Sequence, residues 1–266
     1  MPESAHAELA VIGGSGFYEF LEAPDPVTVS TPYGPPSAEV AVGQVAGRAV
    51  AFLPRHGASH EYPPHRVNYR ANLWALRSLG VRRVLAPCAV GSLHPALGPG
   101  ALVVPDQLVD RTTGRVQTFM DTGAAHVGFA DPYCPELRGA VLAADEAIVD
   151  GGTMVVVEGP RFSTRAESQW YAAQGWSLVN MTGHPEAILA RELAMCYAAV
   201  ALVTDRDAGI SSVEAVNQAE VFAEFARNVE RLRMLLVDVI EGLPDVRVGC
   251  RCSEALDGLT LGFDLP

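Results

Sequence analysis

The stretch Leu9-Ala-Val-Ile-Gly-Gly-Ser-Gly-Phe17 decides the fold of this 266-residue chain. Its four apolar residues predict a short buried strand that ends at Gly13. Glycines directly after such a strand let the backbone turn its N–H groups toward an anion, and Ser15 adds a hydroxyl. Taken alone, this glycine turn is equally compatible with an anion site and with a tight structural corner.

Two better-known motifs are excluded for the glycine turn. A dinucleotide-binding fingerprint that begins at Gly14 requires a further glycine at position 19, where this chain has Glu19. A nucleophile elbow centred on Ser15 requires a glycine two residues later, where the chain has Phe17. The turn therefore predicts an anion site only if groups of matching chemistry join it.

The composition bounds the class of protein. Apolar residues make up 49% of the chain and charged residues 19%, which excludes disorder on compositional grounds. A formal charge of −12 argues against a surface for nucleic acid or anionic membrane. The first residues lack a secretory signal, and no apolar run has the length of a membrane span. We therefore expect a cytoplasmic protein that binds neither nucleic acid nor membrane.

Neither the cysteines nor the histidines predict a metal site. The five scattered cysteines form no secreted disulfide framework, and their spacings do not match a zinc ribbon. Cys250 and Cys252 either close a small strained disulfide or remain free thiols. The Pro63-Pro64 pair prevents three nearby histidines from sharing one helical face: His56, His60 and His65.

Short apolar runs separated by turn signals predict alternating strands and helices. Strands are predicted at 9–12, 39–45, 49–53, 83–86, 101–104, 152–157, 178–181 and 196–204, the second and third pairing as a hairpin. Helices are predicted at 68–79, 135–149, 164–174, 185–195 and 212–240. No repeat or linker interrupts the pattern, so we expect a single α/β domain over residues 1–266, with a mixed central β-sheet flanked by helices. Residues 112–134 form the longest irregular stretch, which in a compact domain is often functional.

Polar groups follow several of the predicted strands. Each group has a plain structural interpretation in isolation: a surface arginine, a strand-to-helix corner with Phe162 in the core, or a helix cap. Their common place at strand ends, where open α/β sheets bind ligands, favours a binding cleft. An arginine there suits bidentate contact with phosphate, and a protonated carboxyl can donate to a leaving base. These groups are Arg55-His56-Gly57, the segment Glu158 to Arg165, Asn180-Met-Thr182 and Thr204-Asp-Arg-Asp207.

Together with Gly13-Gly-Ser-Gly16, these segments resemble the methylthioadenosine phosphorylases, which are trimeric purine nucleoside phosphorylases. The resemblance runs in the family's order over about residues 8 to 222, and it includes Val67 to Leu76, Gly91-Ser-Leu93 and Asp106 to Thr113. It implies a nucleoside phosphorylase-like fold and phosphorolysis of an N-glycosidic bond. Inorganic phosphate would be the co-substrate, with no cofactor.

The resemblance also implies a role for each site residue. Asp205 would donate to N7 of the leaving purine, and Asp207 would accept from its 6-amino group. Phosphate would be held by Ser15, Arg55, His56, Ala89 and Thr182. Met181 would lie under the ribose, Phe162 would pack on the purine, and the remaining nucleoside contacts would come from Gly91, Asn180, Gln218 and Val221. The protein would be a trimer or a dimer of trimers, with His126 from the long loop in the neighbour's 5′ pocket.

Two departures from the family pattern bear on the substrate. Gly183-His184 would add an imidazole near the site, and Gln218 stands where the 5′ pocket is commonly apolar, so that it could hydrogen-bond a 5′-hydroxyl. The acidic pair favours adenine-type bases, and the resemblance implies S-methyl-5′-thioadenosine as the leading substrate. The alternatives are phosphorolysis of adenosine or a 6-oxopurine nucleoside, a hydrolytic nucleosidase, and a non-catalytic nucleoside-binding protein.

Overall fold

The first strand, β1 (Leu9–Gly13), lies inside an eleven-stranded sheet in the computed structural model, which describes residues 6–210 and 216–266. It pairs in parallel with β4 (Arg48–Pro54) and with β5 (Arg83–Ser92). All five of its residues are buried. Burial on both faces explains why this strand reads as a continuous apolar run rather than an alternating pattern.

The sheet is mixed, as predicted. Its order is β2-β3-β4-β1-β5-β10-β9-β7, while β11 pairs with β5 and β6, and β6 pairs with β8. The predicted hairpin is confirmed as β3 and β4, which pair antiparallel. The remaining strands are β2 (Asp25–Val27), β3 (Val40–Val45), β6 (Leu102–Val104), β7 (Gln107–Arg111), β8 (Val149–Asp150), β9 (Thr153–Val157), β10 (Leu178–Asn180) and β11 (Cys196–Arg206).

Helices cover both sides of the sheet. α1 and α4 pack into one hydrophobic core, and α2 and α5 pack into a second. Side-chain caps begin three of the helices: Asn68 for α1, Thr164 with Glu167 as a capping box for α3, and Asn217 for α5. The helices are α1 (Tyr69–Ser78), α2 (Pro135–Ala144), α3 (Arg165–Ala173), α4 (Gly183–Glu192) and α5 (Gln218–Gly242), with 3₁₀ turns at Pro64–Arg66 and Cys252–Glu254.

Some predicted boundaries are wrong. The helix predicted to reach residue 149 ends at Ala144, because the Asp145 side chain accepts a hydrogen bond from the N–H of Ala147 and turns the chain into β8. Strands β2 and β7 were not predicted, since they are only partly buried and carry little apolar pattern. The predicted positions 212–215 of the last helix lie outside the described residues. Residues 112–134 contain no helix or strand, as predicted.

The sequence placed the cleft where several strands end together, and the strand directions show that this holds for only some of them. β1, β4, β5 and β11 are parallel, so their carboxyl ends do share one edge. β10 and β9 run the other way, because β10 is antiparallel to β5. Within β5, β10 pairs only with Gly91 and Ser92, which are the last two residues of β5. The end of β10 therefore lies beside Ala89, whose carbonyl accepts from Asn180. The segment after β10 therefore still reaches the shared edge.

No helix within the described ranges has the length and apolar character needed to cross a membrane.

Candidate active site

One cavity of about 210 Å³ at this edge is lined by every predicted site residue except His126. His126 lies exposed in the long loop, away from the cavity of its own chain. The cavity also contains residues that the sequence did not assign to the site, among them His60, Pro64 and Phe222. The predicted residues in its lining are Ser15, Arg55, His56, Ala89, Gly91, Phe162, Asn180, Met181, Thr182, Asp205, Asp207, Gln218 and Val221.

The glycine turn closes over one end of the cavity. The Phe17 N–H donates to the Gly14 carbonyl at 3.0 Å, and Gly16 adopts a φ of +81°. A side chain at Gly14 would approach the Pro87 carbonyl to 2.9 Å. Only Gly16 therefore needs the left-handed conformation, whereas Gly14 is required because the backbone passes close to β5. This packing brings Ser15 to the cavity wall.

Arg55 makes its bidentate contact with a carboxylate of the protein. Its Nε and Nη2 each lie 2.7 Å from an oxygen of Glu186, and both side chains are almost fully buried. The Tyr197 hydroxyl donates to the same carboxylate at 2.8 Å. Burial by itself would lower the pKa of Arg55, but the Glu186 carboxylate raises it above its usual value. Glu186 occupies one edge of the guanidinium. The Nη1 end near Gly14 makes only a long contact of 3.4 Å with the Pro87 carbonyl, so it is the part best able to reach a ligand.

Glu186 is a partner that the sequence did not predict. It stands in the first turn of α4, just after Pro185, where an acidic residue is ordinary because it complements the helix dipole. Nothing in its local sequence indicates a contact with Arg55, which lies 131 positions earlier in the chain.

His56 faces the cavity as a neutral ring. Its Nδ1 lies 2.8 Å from the Tyr62 carbonyl, which can only accept, so Nδ1 carries the proton and Nε2 is an acceptor. Burial, followed by the charge of Arg55, lowers the pKa of His56 to about 4. The ring of His60 stacks on it at a centroid distance of 4.5 Å. His60 thus supports His56 from inside the cavity.

The Asn180 side chain shapes the turn that follows β10. Its Oδ1 accepts from the N–H groups of Thr182 at 2.7 Å and Gly183 at 2.6 Å, while its Nδ2 donates to the Ala89 carbonyl. These bonds hold Met181 and Thr182 in the cavity wall. The polar atoms of Asn180 are largely used in this way, so its contribution is to position its neighbours.

Asp205 and Asp207 enter the cavity because β11 is irregular at its end. The pairing with β5 shifts between Val203 and Asp205. A Cβ atom on Gly91 would lie 3.2 Å from Asp205 Oδ2, so a side chain at this position would crowd the carboxylate. The Ser168 hydroxyl donates to Asp207 Oδ2 at 2.7 Å and fixes the second carboxylate. Hydrogen bonds from Thr204 and Ser168 therefore fix the carboxylates of Asp205 and Asp207 at the cavity.

Burial makes Asp205 a weaker acid than usual. Desolvation raises its pKa, the hydrogen bond from Thr204 at 2.8 Å lowers it, and the nearby Asp207 raises it again. The resulting pKa is about 6. A carboxyl of this kind can hold a proton near neutral pH and give it to a reacting group.

The pKa of Asp205 predicts a descending limb in the pH profile of any reaction that needs its proton. Below a pH of about 6 the carboxyl is protonated and can donate; above that pH it ionises and the donor is lost. We expect kcat/KM to fall as the pH rises through this value. In Asp207→Asn the limb should move to lower pH, because a neighbouring negative charge is removed. An unchanged limb in that variant would contradict the assignment.

Arg115 connects the long loop to the site, and the sequence did not indicate it. Its guanidinium donates to the carbonyls of Met181, His184 and Glu158 at 2.7–2.8 Å, and it contacts the Glu158 carboxylate at 3.2 Å. The Glu158 carboxylate also accepts from the N–H of Thr113 at 2.8 Å, within the same loop. An arginine in an irregular loop carries no pattern that would have predicted this role.

The imidazole of His184 does not line the cavity. Its Nε2 lies 2.8 Å from Gln117 Oε1 and 3.2 Å from Asp110 Oδ2, on the side of the long loop. Burial lowers its pKa. The expectation of an extra imidazole at the site is therefore wrong, because the chain turns between Thr182 and His184 and directs the ring toward the loop.

The mixed sheet, the glycine turn and the strand-end cavity together make this a nucleoside phosphorylase-like fold. The structure matches the crystal structure of a methylthioadenosine phosphorylase sourced from an Antarctic soil metagenomic library, with a TM-score of 0.89 and 38% identity over 96% of this chain and 93% of that one. It also matches methylthioadenosine phosphorylase from Schistosoma mansoni in complex with adenine, with a TM-score of 0.84 and 37% identity over 88% and 91% of the two chains.

The sequence comparisons agree. Residues 8–241 match the phosphorylase superfamily. The chain is 63% identical to the S-methyl-5′-thioadenosine phosphorylase of Mycolicibacterium smegmatis, over 97% of this chain and 99% of that protein. It is 57% identical to the purine nucleoside phosphorylase of Streptomyces coelicolor over the full length of both. The chain belongs to the phosphorylase superfamily, and within it to the methylthioadenosine and purine nucleoside phosphorylases.

Proposed function

We propose that this chain catalyses the phosphorolysis of S-methyl-5′-thioadenosine to adenine and 5-methylthioribose 1-phosphate. The observation that carries the proposal is one cavity that combines a half-buried acid of raised pKa, Asp205, with the hydroxyls of Ser15 and Thr182. The acid can protonate a leaving base, and the hydroxyls can donate hydrogen bonds to a phosphate oxygen. The reaction needs inorganic phosphate as co-substrate and no organic cofactor.

The proposed chemistry uses both acids at the purine. As the glycosidic bond lengthens, negative charge develops on the leaving base, and protonated Asp205 neutralises it by donating to N7. Asp207 accepts from the 6-amino group, where a 6-oxo group would meet repulsion. The ribose gains cationic character, which the bound phosphate offsets before it attacks the anomeric carbon. No nucleophilic side chain is required.

Hydroxyl and backbone donors hold the phosphate in this proposal, together with one end of the Arg55 guanidinium. Ser15 and Thr182 donate hydroxyl protons, the backbone at Ala89 lies beside them, and Arg55 contributes its Nη1 end. Because Nδ1 of His56 donates to Tyr62, its Nε2 can accept the P–OH proton of hydrogen phosphate. The site thus favours the singly protonated dianion, which keeps one proton to share with His56.

The test is adenine release from S-methyl-5′-thioadenosine with and without added phosphate. A phosphorylase releases adenine only when phosphate is present, and it forms one sugar phosphate for each adenine. Release that is undiminished in phosphate-free buffer would instead identify a hydrolytic nucleosidase. A panel of methylthioadenosine, adenosine, methylthioinosine and inosine then tests the base, since a preference for either inosine compound would contradict the roles of Asp205 and Asp207.

Adenosine is the second candidate substrate, and Gln218 is the observation that favours it. Gln218 lines the cavity beside Val221 at the start of α5. A carboxamide there can hydrogen-bond a 5′-hydroxyl, whereas a methylthio group needs an apolar surface. The Streptomyces coelicolor relative is named a purine nucleoside phosphorylase, so both specificities are represented among similar proteins.

Replacing Gln218 with leucine is expected to shift specificity toward the methylthio substrate. Losing one neutral hydrogen bond should raise the ratio of kcat/KM for methylthioadenosine to that for adenosine by about 3- to 10-fold. Steady-state kinetics on both nucleosides at saturating phosphate measure the ratio. Gln44→Leu, an exposed position of β3, is the matched control and should leave the ratio unchanged. An unchanged ratio in Gln218→Leu would remove Gln218 from the 5′ pocket.

We also propose a cytoplasmic homotrimer, or a dimer of trimers, in which His126 enters the neighbour's site. The exposure of His126, on a loop tied to the site by Arg115, supports this arrangement. Light scattering should give a mass three or six times that of the 28.2 kDa chain. His126→Ala should raise the KM for methylthioadenosine without lowering kcat equally. A fully active monomer would contradict the proposal.

A further inference from the structure

Four of the five cysteines meet at one place, far from the cavity. Cys134 precedes α2, Cys196 begins β11, and Cys250 and Cys252 lie in the C-terminal segment after α5. Their sulfur atoms all lie within 4.8 Å of one another. Three of the four residues are buried, and Cys250 is half-buried. The fifth, Cys88, lies in the cavity wall and takes no part.

The arrangement has the dimensions of a tetrahedral thiolate site. Zinc–sulfur bonds of about 2.3 Å place the sulfurs of a tetrahedron roughly 3.8 Å apart. The Sγ atoms of Cys196 and Cys250 lie 3.4 Å apart, far beyond the length of about 2.05 Å for a disulfide bond. All five cysteines are free thiols in this structure. Four mutually close sulfurs, rather than two separate pairs, are what a single ion requires.

We propose that Cys134, Cys196, Cys250 and Cys252 form a structural site for a soft divalent cation, with zinc as the ion of choice. Binding would replace the four S–H protons, which are released, by four metal–sulfur bonds, and would leave a complex of net charge −2. Zinc is favoured because four thiolates in closed tetrahedral geometry suit it and leave no open position for substrate.

The surroundings of the four sulfurs suit a negatively charged complex. Arg247 Nη1 lies 3.9 Å from Cys196 Sγ, so a guanidinium stands beside the cluster. The N–H of Cys134 donates to the Tyr197 carbonyl at 2.8 Å, which fixes Cys134 against the start of β11. The ligands therefore come from three segments that are already held together. Because the ligands come from separate segments, their linear spacing shows no zinc motif. The sequence therefore predicted no metal site.

The proposed ion would fasten the C-terminal segment to the sheet. That segment is already docked nearby, because the Glu136 carboxylate accepts from the N–H groups of Val248 and Gly249, and Arg83 donates to the Pro244 carbonyl at 2.7 Å. Cys196 and Asp205 lie near opposite ends of β11, which separates them by about 30 Å along an extended strand. The ion would therefore stabilise the protein without entering the reaction.

Metal analysis of the purified protein tests the proposal. After expression in zinc-supplemented medium and purification without chelators, we expect elemental mass spectrometry to find about one zinc ion per chain. Cobalt-substituted protein should show a thiolate-to-cobalt charge-transfer band in the near ultraviolet. Cys252→Ser should lose the ion and unfold at a lower Tm, while its KM for nucleoside stays the same. Ser253→Ala, the exposed neighbour, is the control and should keep the ion.

Two results would overturn the proposal. One is wild-type protein that lacks zinc and is two hydrogens lighter for each disulfide, which would show that the cluster is oxidised. The other is fully reduced protein that fails to take up zinc or cobalt. If Cys252→Ser does not fold, the metal content and cobalt spectrum of the wild type still decide between these outcomes.

Discussion

Asp205→Asn is expected to lower kcat by about two to four orders of magnitude while adenine binding is retained. Asparagine keeps the shape of the side chain and an N–H donor toward the base, but it cannot give up a proton to the leaving purine. The pKa of about 6 for Asp205 makes it the group whose proton is available near neutral pH. Kinetics at saturating nucleoside and phosphate measure kcat, and calorimetry measures the affinity for adenine.

The control for this variant is Asp257→Asn, an exposed aspartate in the C-terminal segment, which should leave kcat unchanged. The comparison separates general acid catalysis from simple binding. A non-catalytic nucleoside-binding protein would have no turnover to lose in either variant. A loss of kcat below about fivefold in Asp205→Asn would show that the leaving base obtains its proton elsewhere.

The second large effect is on stability. Glu186→Leu is expected to lower the free energy of unfolding by about 3–5 kcal/mol, because it leaves the Arg55 charge buried without its partner. The Tyr197 hydroxyl would also lose its acceptor. Urea-induced unfolding, followed by tryptophan fluorescence and circular dichroism, measures this change. The exposed Glu146→Leu provides the matched control, with an expected change within about 0.5 kcal/mol.

A double variant shows whether the cost arises from the unpaired charge. Arg55→Met combined with Glu186→Leu replaces the ion pair by apolar side chains of similar size, and such replacements are often neutral for stability. We expect the double variant to recover most of the loss, although phosphate affinity should remain weak without Nη1 of Arg55. If the double variant is as unstable as Glu186→Leu alone, packing rather than the buried charge determines the effect.

Burial has a common consequence for the charges in the cavity. It keeps His56 neutral and raises the pKa of Asp205, while Glu186 balances Arg55. With a formal charge of −12, the protein as a whole repels an anion, and local positive charge would be one way to overcome this. The structure instead offers hydroxyls, backbone and one end of a guanidinium whose charge Glu186 balances. In a low-dielectric site, oriented dipoles of this kind stabilise an anion effectively.

Local patterns were sufficient for much of the site. The glycine turn, the Asn180-Met-Thr182 segment and the acidic pair each lie at the end of a strand, and residues of all three line the cavity. Local patterns did not predict contacts between residues that are distant in sequence, nor that β10 runs antiparallel to β5. Glu186 resembles an ordinary helix-start residue until Arg55 is beside it. The reversed direction of β10 leaves no signal in its sequence, because all three of its residues are buried in either direction.

The stretch from Leu9 to Phe17 and the other apolar runs determined by themselves that this is an α/β protein with polar groups at its strand ends, because burial on both faces and tight turns leave a local pattern. Only the tertiary structure decided which atoms of those groups are free. It assigned one edge of Arg55 to Glu186, turned His184 away from the cavity and gathered four cysteines from three segments. Hydrogen bonds and sulfur contacts between distant residues depend on how the elements pack, and packing has no local signal in the sequence.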